Sequence, residues 1–228
     1  MLMKHKAFSL LYLLFFLFLL AVAFSQNAAL YQVIRPCVLL SLSIYFFFTT
    51  RLKGRFHKRL FTGLVLATIA DFLIVNQAQT GAYAFAAYCL AAIYYIRAFY
   101  LDFRSAQELD KRGARIGIVA CTILGMGCYS YIRPHLNGDV FPAMVSTFLT
   151  SMLLMMAIFR NLRVNIISFN LITAGTACLA LTVFLFALNK YMESSEITAL
   201  LMLSTYVVGQ YLVVIGGIER KLLNQDTI

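Results

Sequence analysis

Asp71 stands inside the apolar run GLVLATIADFL, residues 63–73, where a carboxyl group has almost no water to solvate it. An ionised side chain at mid-bilayer costs about 2.5–3.5 kcal/mol on insertion scales, so such residues face a protein interior and pair there. Two readings of Asp71 stand side by side: a hydrogen-bonded carboxyl that ties helices together, and a carboxyl that handles a proton. Arg35, followed by Pro36, is the second residue with chemical potential. Its guanidinium either pairs with a buried carboxylate or snorkels along its stem to lipid headgroups. Tyr206 and Gln210 are four residues apart and share one helix face. Both donate and accept hydrogen bonds, as interhelical ties or as groups that orient a substrate or a water. No G-x-S-x-G elbow, H-E-x-x-H pair, P-loop or G-x-G-x-x-G turn occurs. His5, His57 and His135 are scattered outside the apolar runs, and Cys37, Cys89, Cys121, Cys128 and Cys178 show no ligand spacing, so they read as packing residues. No metal or cofactor is indicated.

The elements that position these residues follow from composition. Of 228 residues, 62% are hydrophobic and 12% charged, with a mean hydropathy of +0.83. Soluble domains run about 45–50% apolar and about 25% charged, which excludes a water-soluble enzyme. Apolar runs cover about residues 8–24, 30–49, 60–75, 81–100, 116–132, 140–159, 166–188 and 197–215. Runs of this length in lipid must satisfy their own backbone, so they predict helices. The fold class is all-α: an integral membrane bundle of about eight transmembrane helices, residues 1–228 forming a single polytopic domain. Among these spans Asp71 is the only acidic residue, about two thirds of the way along the third. Arg35 starts the second span from the opposite direction, so both fall in the same half of the bilayer, and Pro36 is read as a residue of that helix's first turn.

Net charge is +10, and its distribution points to topology rather than nucleic acid. Lys4, Lys6, Arg51, Lys53, Arg55, Lys58, Arg59, Arg104, Lys111, Arg112, Arg115, Arg160, Arg163, Arg220 and Lys221 fall at alternate span ends, against Arg133 and Lys190 at the others. By the positive-inside rule both termini are cytoplasmic, in a bacterial inner membrane. Lys4, Lys6 and Ala21-Val22-Ala23 imitate a secretory signal, but the apolar run is longer than a usual signal core, so an uncleaved first helix is expected.

Several local patterns, in this order along the chain, resemble the YhhN-like membrane proteins, the lysoplasmalogenase family. Arg35-Pro36 is similar to that family's Lys-Pro, and residues 63–73 resemble its third-helix block with Asp71 on the family Asp. Gly81, Phe85, Tyr95 and Phe99 resemble its fourth-helix pattern. Gly175 with residues 187–191 (ALNKY), and Thr205-Tyr206 with residues 210–213 (QYLV), resemble its last two blocks. The chain departs from the family at Ala70, which replaces a Gly, at Thr182-Val183, where a second Asp is expected, and at Cys89 or Ala92, where a His is expected.

What the resemblance implies is hydrolysis of the vinyl ether of a lysoplasmalogen to a fatty aldehyde and a glycerophospho head group. That reaction protonates a vinyl carbon and stabilises an oxocarbenium ion until water attacks. Asp71 is the candidate acid, provided that Arg35 does not hold it as a carboxylate. Arg35, Tyr206, Gln210 and Asn189 are candidate substrate-binding groups, the last three also replacing the missing carboxylate as dipoles beside the cation. The implied partners are the membrane and a lysophospholipid-like lipid; no motif fixes an oligomeric state. The alternative is a non-catalytic lipid-binding or sensing bundle in which Asp71 and Arg35 are a structural pair. A small transporter is a third reading, with one buried carboxyl in its favour and no discontinuous helices.

Overall fold

Lipid offers the backbone no hydrogen-bond partner, and each apolar run closes its own ladder as a helix. The computed structural model describes residues 5–25, 27–74, 77–105, 111–136, 138–192 and 195–223. Its helices are α1 Lys6–Phe24, α2 Ala28–Thr50, α3 Gly54–Leu73, α4 Gln77–Arg104, α5 Lys111–Ile132, α6 Val140–Ile158, α7 Ile166–Tyr191 and α8 Glu196–Ile218. Lys4 and Val75, assigned above to a basic flank and to the third span, lie outside the described residues. Seven of the eight helices are long and apolar enough to cross a membrane. The exception is α3, whose 20 residues carry Arg55, Lys58, Arg59 and Asp71; its apolar stretch begins at Leu60. The expected all-α membrane bundle is thus what the chain forms.

Most helices extend beyond their apolar runs, and two of the differences bear on the buried polar residues. Asn27 caps α2, its side chain accepting from the Leu30 N–H at 3.2 Å. The helix therefore begins at Ala28, and Pro36 lies well inside it rather than in the first turn. There Pro36 supplies no N–H to the Gln32 carbonyl, one turn before Arg35 and its partners. At the other difference, α4 continues past residue 100 to Arg104, which brings Asp102 into the bundle.

Six helices close a ring in the order α2, α3, α4, α6, α7, α8 and back to α2, with α5 outside against α6 and α7 and α1 outside against α2 and α8. The closest joint is α7 with α8. A Cβ added at Gly175 would come within 2.8 Å of the Gly209 carbonyl, so the two backbones meet there with no room for a side chain. Between α3 and α4, Gly63 lies beneath the Tyr95 ring, 2.6 Å from where a Cβ would sit.

The basic termini and loops meet at one end of this ring. His5 contacts Glu219 at 2.9 Å, Arg59 donates to the Arg97 carbonyl at 2.7 Å, and the segment after α8 pairs with the α6–α7 turn through a Val164–Leu222 bridge. At the opposite end Asp139 receives Lys190 at 2.7 Å and the Tyr191 hydroxyl at 2.8 Å.

Gly175→Ala forces backbones apart and is expected to lower the melting temperature in detergent, by an overpacking cost of about 1–3 kcal/mol. Gly127→Ala, where an added Cβ meets nothing within 4 Å, leaves it unchanged or slightly raised. The Lys190 and Tyr191 hydrogen bonds, with the Lys190 charge, hold the Asp139 carboxyl below the usual carboxylate range. Because the folded value is depressed, its contribution is complete above about pH 4 and fades as pH falls further. The small stability difference between wild type and Asp139→Asn therefore closes on acidification, as thermal melts at several pH values would record.

Candidate functional site

Asp71 is fully buried, and three donors converge on it from three other helices. From α2, the Arg35 Nε donates to Oδ1 at 3.1 Å. From α4, the Tyr88 hydroxyl donates to the same oxygen at 2.6 Å, and from α8 the Tyr206 hydroxyl donates to Oδ2 at 3.0 Å. The donors also hold one another: the Arg35 Nη2 reaches the Tyr88 hydroxyl at 3.4 Å, its guanidinium lies 5.8 Å from the Tyr206 ring centroid, and the Tyr88 and Tyr206 rings meet edge-on at 6.3 Å. One turn along α8, the buried Gln210 accepts from the Tyr95 hydroxyl at 2.8 Å.

This arrangement decides between the two readings of Arg35, which pairs rather than snorkels. A guanidinium can only donate, and with two hydroxyls beside it this surround favours the carboxylate form of Asp71. Arg35 and Tyr88 are half-buried, the Arg35 side chain 16% exposed against none for Asp71.

The structure brings Arg35, Tyr206 and Gln210 to the neighbourhood of Asp71, but not Asn189. The Asn189 Oδ1 accepts from the Ser195 N–H at 3.2 Å and closes the α7–α8 turn at the far end of α7. At the place of the expected second carboxylate, the Thr182 hydroxyl bonds that of Thr205 at 2.9 Å between α7 and α8. Tyr88 was not singled out above. Its signal was helical phase, since Tyr88, Tyr95, Phe99 and Asp102 follow one another at intervals of seven, four and three residues on α4.

Asp102 corrects the statement that Asp71 is the only acidic residue within a span. It is fully buried near the basic end and accepts from the Arg160 Nε at 2.8 Å and from the Arg220 Nε at 2.7 Å. Arg160, placed by its sequence position in a basic flank, is itself fully buried. It donates to the Ser168 Oγ at 2.9 Å, which in turn donates to the Gly216 carbonyl at 2.7 Å. This cluster fastens α4, the end of α6, α7 and the segment after α8. Asp102→Asn leaves buried guanidinium groups without their anion and is expected to cost about 3–5 kcal/mol. In thermal unfolding the loss should far exceed that of Asp139→Asn, whose carboxylate is 43% exposed.

No curated protein and no solved structure matches the chain. The YhhN family does, over residues 30–217. That stretch runs from the first turn of α2 to the last turn of α8 and contains every residue around Asp71 named above; α1 precedes it. Fold, order of motifs and family match agree, and the chain belongs to the YhhN family.

Proposed function

We propose that the chain hydrolyses the alkenyl ether of a single-chain ether phospholipid, of the lysoplasmalogen type, to a fatty aldehyde and a glycerophospho head group. In this reading it lies in a bacterial inner membrane with both termini cytoplasmic, residues 1–228 acting as one domain. The observation that carries it is the difference in exposure across the Arg35–Asp71 pair: a sealed carboxyl group whose partner's side chain is 16% exposed. A phosphate draws the Arg35 guanidinium by bidentate hydrogen bonds. Deprived of that charge in a low-dielectric interior, Asp71 takes up a proton rather than remain an isolated anion.

Protonated Asp71 then donates to the vinyl carbon remote from the ether oxygen, and the carbon–carbon double bond supplies the electron pair. The product is an oxocarbenium ion facing the carboxylate just formed. Water, oriented by Gln210 and Tyr206, attacks the cationic carbon and returns its proton to Asp71. The resulting hemiacetal breaks its bond to the glycerol oxygen, which leaves with the hydroxyl proton, giving alcohol and aldehyde. One water is consumed and Asp71 ends as it began.

One observation favours a second reading, a lipid-binding or sensing bundle without catalysis. The Thr182–Thr205 bond and Val183 occupy the place of a second carboxylate, leaving the cation to a single anion and to dipoles.

Release of fatty aldehyde from a lysoplasmalogen, but not from its saturated alkyl-ether analogue, separates the two. Hydrolysis predicts aldehyde from the first alone; none from well-folded protein favours the binding reading. Asp71→Asn should lower kcat of the folded protein about 10²–10⁴-fold, with a loss of thermal stability as Arg35 loses its anion, and normal turnover would remove Asp71 from the chemistry. Arg35→Gln should raise KM for the phosphate-bearing substrate more than it lowers kcat.

A further inference from the structure

The ring of helices has one shallow joint. Neighbours elsewhere in the ring pack along extensive faces, whereas α2 and α8 touch least. That joint separates Arg35 on α2 from Tyr206 on α8, two of the three donors to Asp71. Across its outer surface lies α1, the helix that precedes the family-matched residues 30–217. The site is therefore built by α2–α8, and α1 is laid over its weakest wall.

Toward the basic end, α1 is attached by polar ties beside stacked rings, Phe8 on Tyr45 at 3.6 Å and Tyr12 on Tyr211 at 5.1 Å between centroids. His5 joins the Glu219 carboxylate at 2.9 Å and the Tyr45 hydroxyl at 2.5 Å. Ser9 meets the Tyr211 hydroxyl at 2.5 Å, and the Tyr12 hydroxyl donates to the Val207 carbonyl at 3.3 Å. Val207 and Tyr211 each follow a site residue, Tyr206 and Gln210, by one position, so these ties hold α1 at the level of the site. Along the rest of α1 only Leu19 and Val22 are buried. Their contacts are apolar, of a kind that a hydrocarbon chain in the same place reproduces.

We propose that α1 is a lateral gate: its ties through His5, Ser9 and Tyr12 release, and the hydrocarbon chain of a single-chain lipid passes from the bilayer between α2 and α8 to Asp71. This rests on the lipid reading above and adds the route. A sealed carboxylate in a membrane needs such a route, because a substrate dissolved in the bilayer approaches from the side. The gap left by one displaced helix suits one chain, which fits a lysolipid better than a two-chain phospholipid.

The test uses a single-chain ether lysophospholipid carrying a diazirine in its chain. Cys37, Cys89, Cys121, Cys128 and Cys178 are replaced by Ala, and Ser9→Cys with Tyr211→Cys are joined by a reducible thiol linker. Photolabelling of α4 around Tyr88 and Tyr95, mapped by mass spectrometry, is compared before and after reduction of the same protein, which controls for folding. Tethering is expected to cut labelling at least about tenfold, as the open form is depopulated, and reduction to restore it. In the otherwise unaltered chain, His5→Ala should raise the initial labelling rate. Equal labelling of α4 in the tethered and reduced forms overturns the gate while leaving the lipid reading intact. Absence of α4 labelling in tethered, reduced and unaltered protein alike overturns the lipid reading and the gate with it.

Discussion

A carboxylate in hydrocarbon must be held by donors on every side, and the Asp71 pair with Arg35 is the constraint around which this bundle is organised. Four helices each give one group to it: α3 the carboxylate, α2 the guanidinium, α4 and α8 a tyrosine hydroxyl each. Their separation in sequence means that the cluster exists only when the ring closes. The close approaches at Gly63 and Gly175 serve that closure, bringing α3 against α4 and α7 against α8 so that no donor is left short.

The two buried carboxylates show how the same physics gives different outcomes. Asp102 is gripped by Arg160 and Arg220, with Arg160 itself buried and tied onward to Ser168. Joined by two guanidinium groups from different segments, that carboxylate acts as a lock on four segments. Asp71 has one guanidinium and two neutral hydroxyls. Removing a single ion leaves it uncompensated in a dry interior, the condition under which a carboxyl becomes a proton carrier. In the proposed function the lock fixes the frame, and the Asp71 pair responds to an anionic ligand.

Much of this was legible in the residues themselves. Unbroken apolar runs announced the helices, and counting along antiparallel spans put Arg35 and Asp71 at one level, where the two pair. A four-residue interval placed Tyr206 and Gln210 on one face, and both are buried. Other features were hidden for identifiable reasons. Tyr88 shares its helical phase with Tyr95 and Phe99, a signal that does not single it out in a helix rich in aromatics. Asp102 lies two residues beyond the apolar run, where hydropathy ends a span but the helix continues because arginines from distant segments fold back to cover it. Pro36 suggested a helix start, yet Asn27 caps the chain nine residues earlier. Asn189 resembled a site dipole in sequence, whereas its position at the end of α7 commits its side chain to the following turn.

The central claim is that lipid phosphate exchanges Arg35 for a proton on Asp71. Infrared difference spectroscopy on purified protein reads this directly through the carbonyl stretch of a protonated carboxyl, with Asp71→Asn assigning the band. The account predicts no such band from Asp71 in the resting protein and its appearance when a single-chain ether phospholipid is added. A band already present without lipid, or none after saturating lipid has bound, would contradict it.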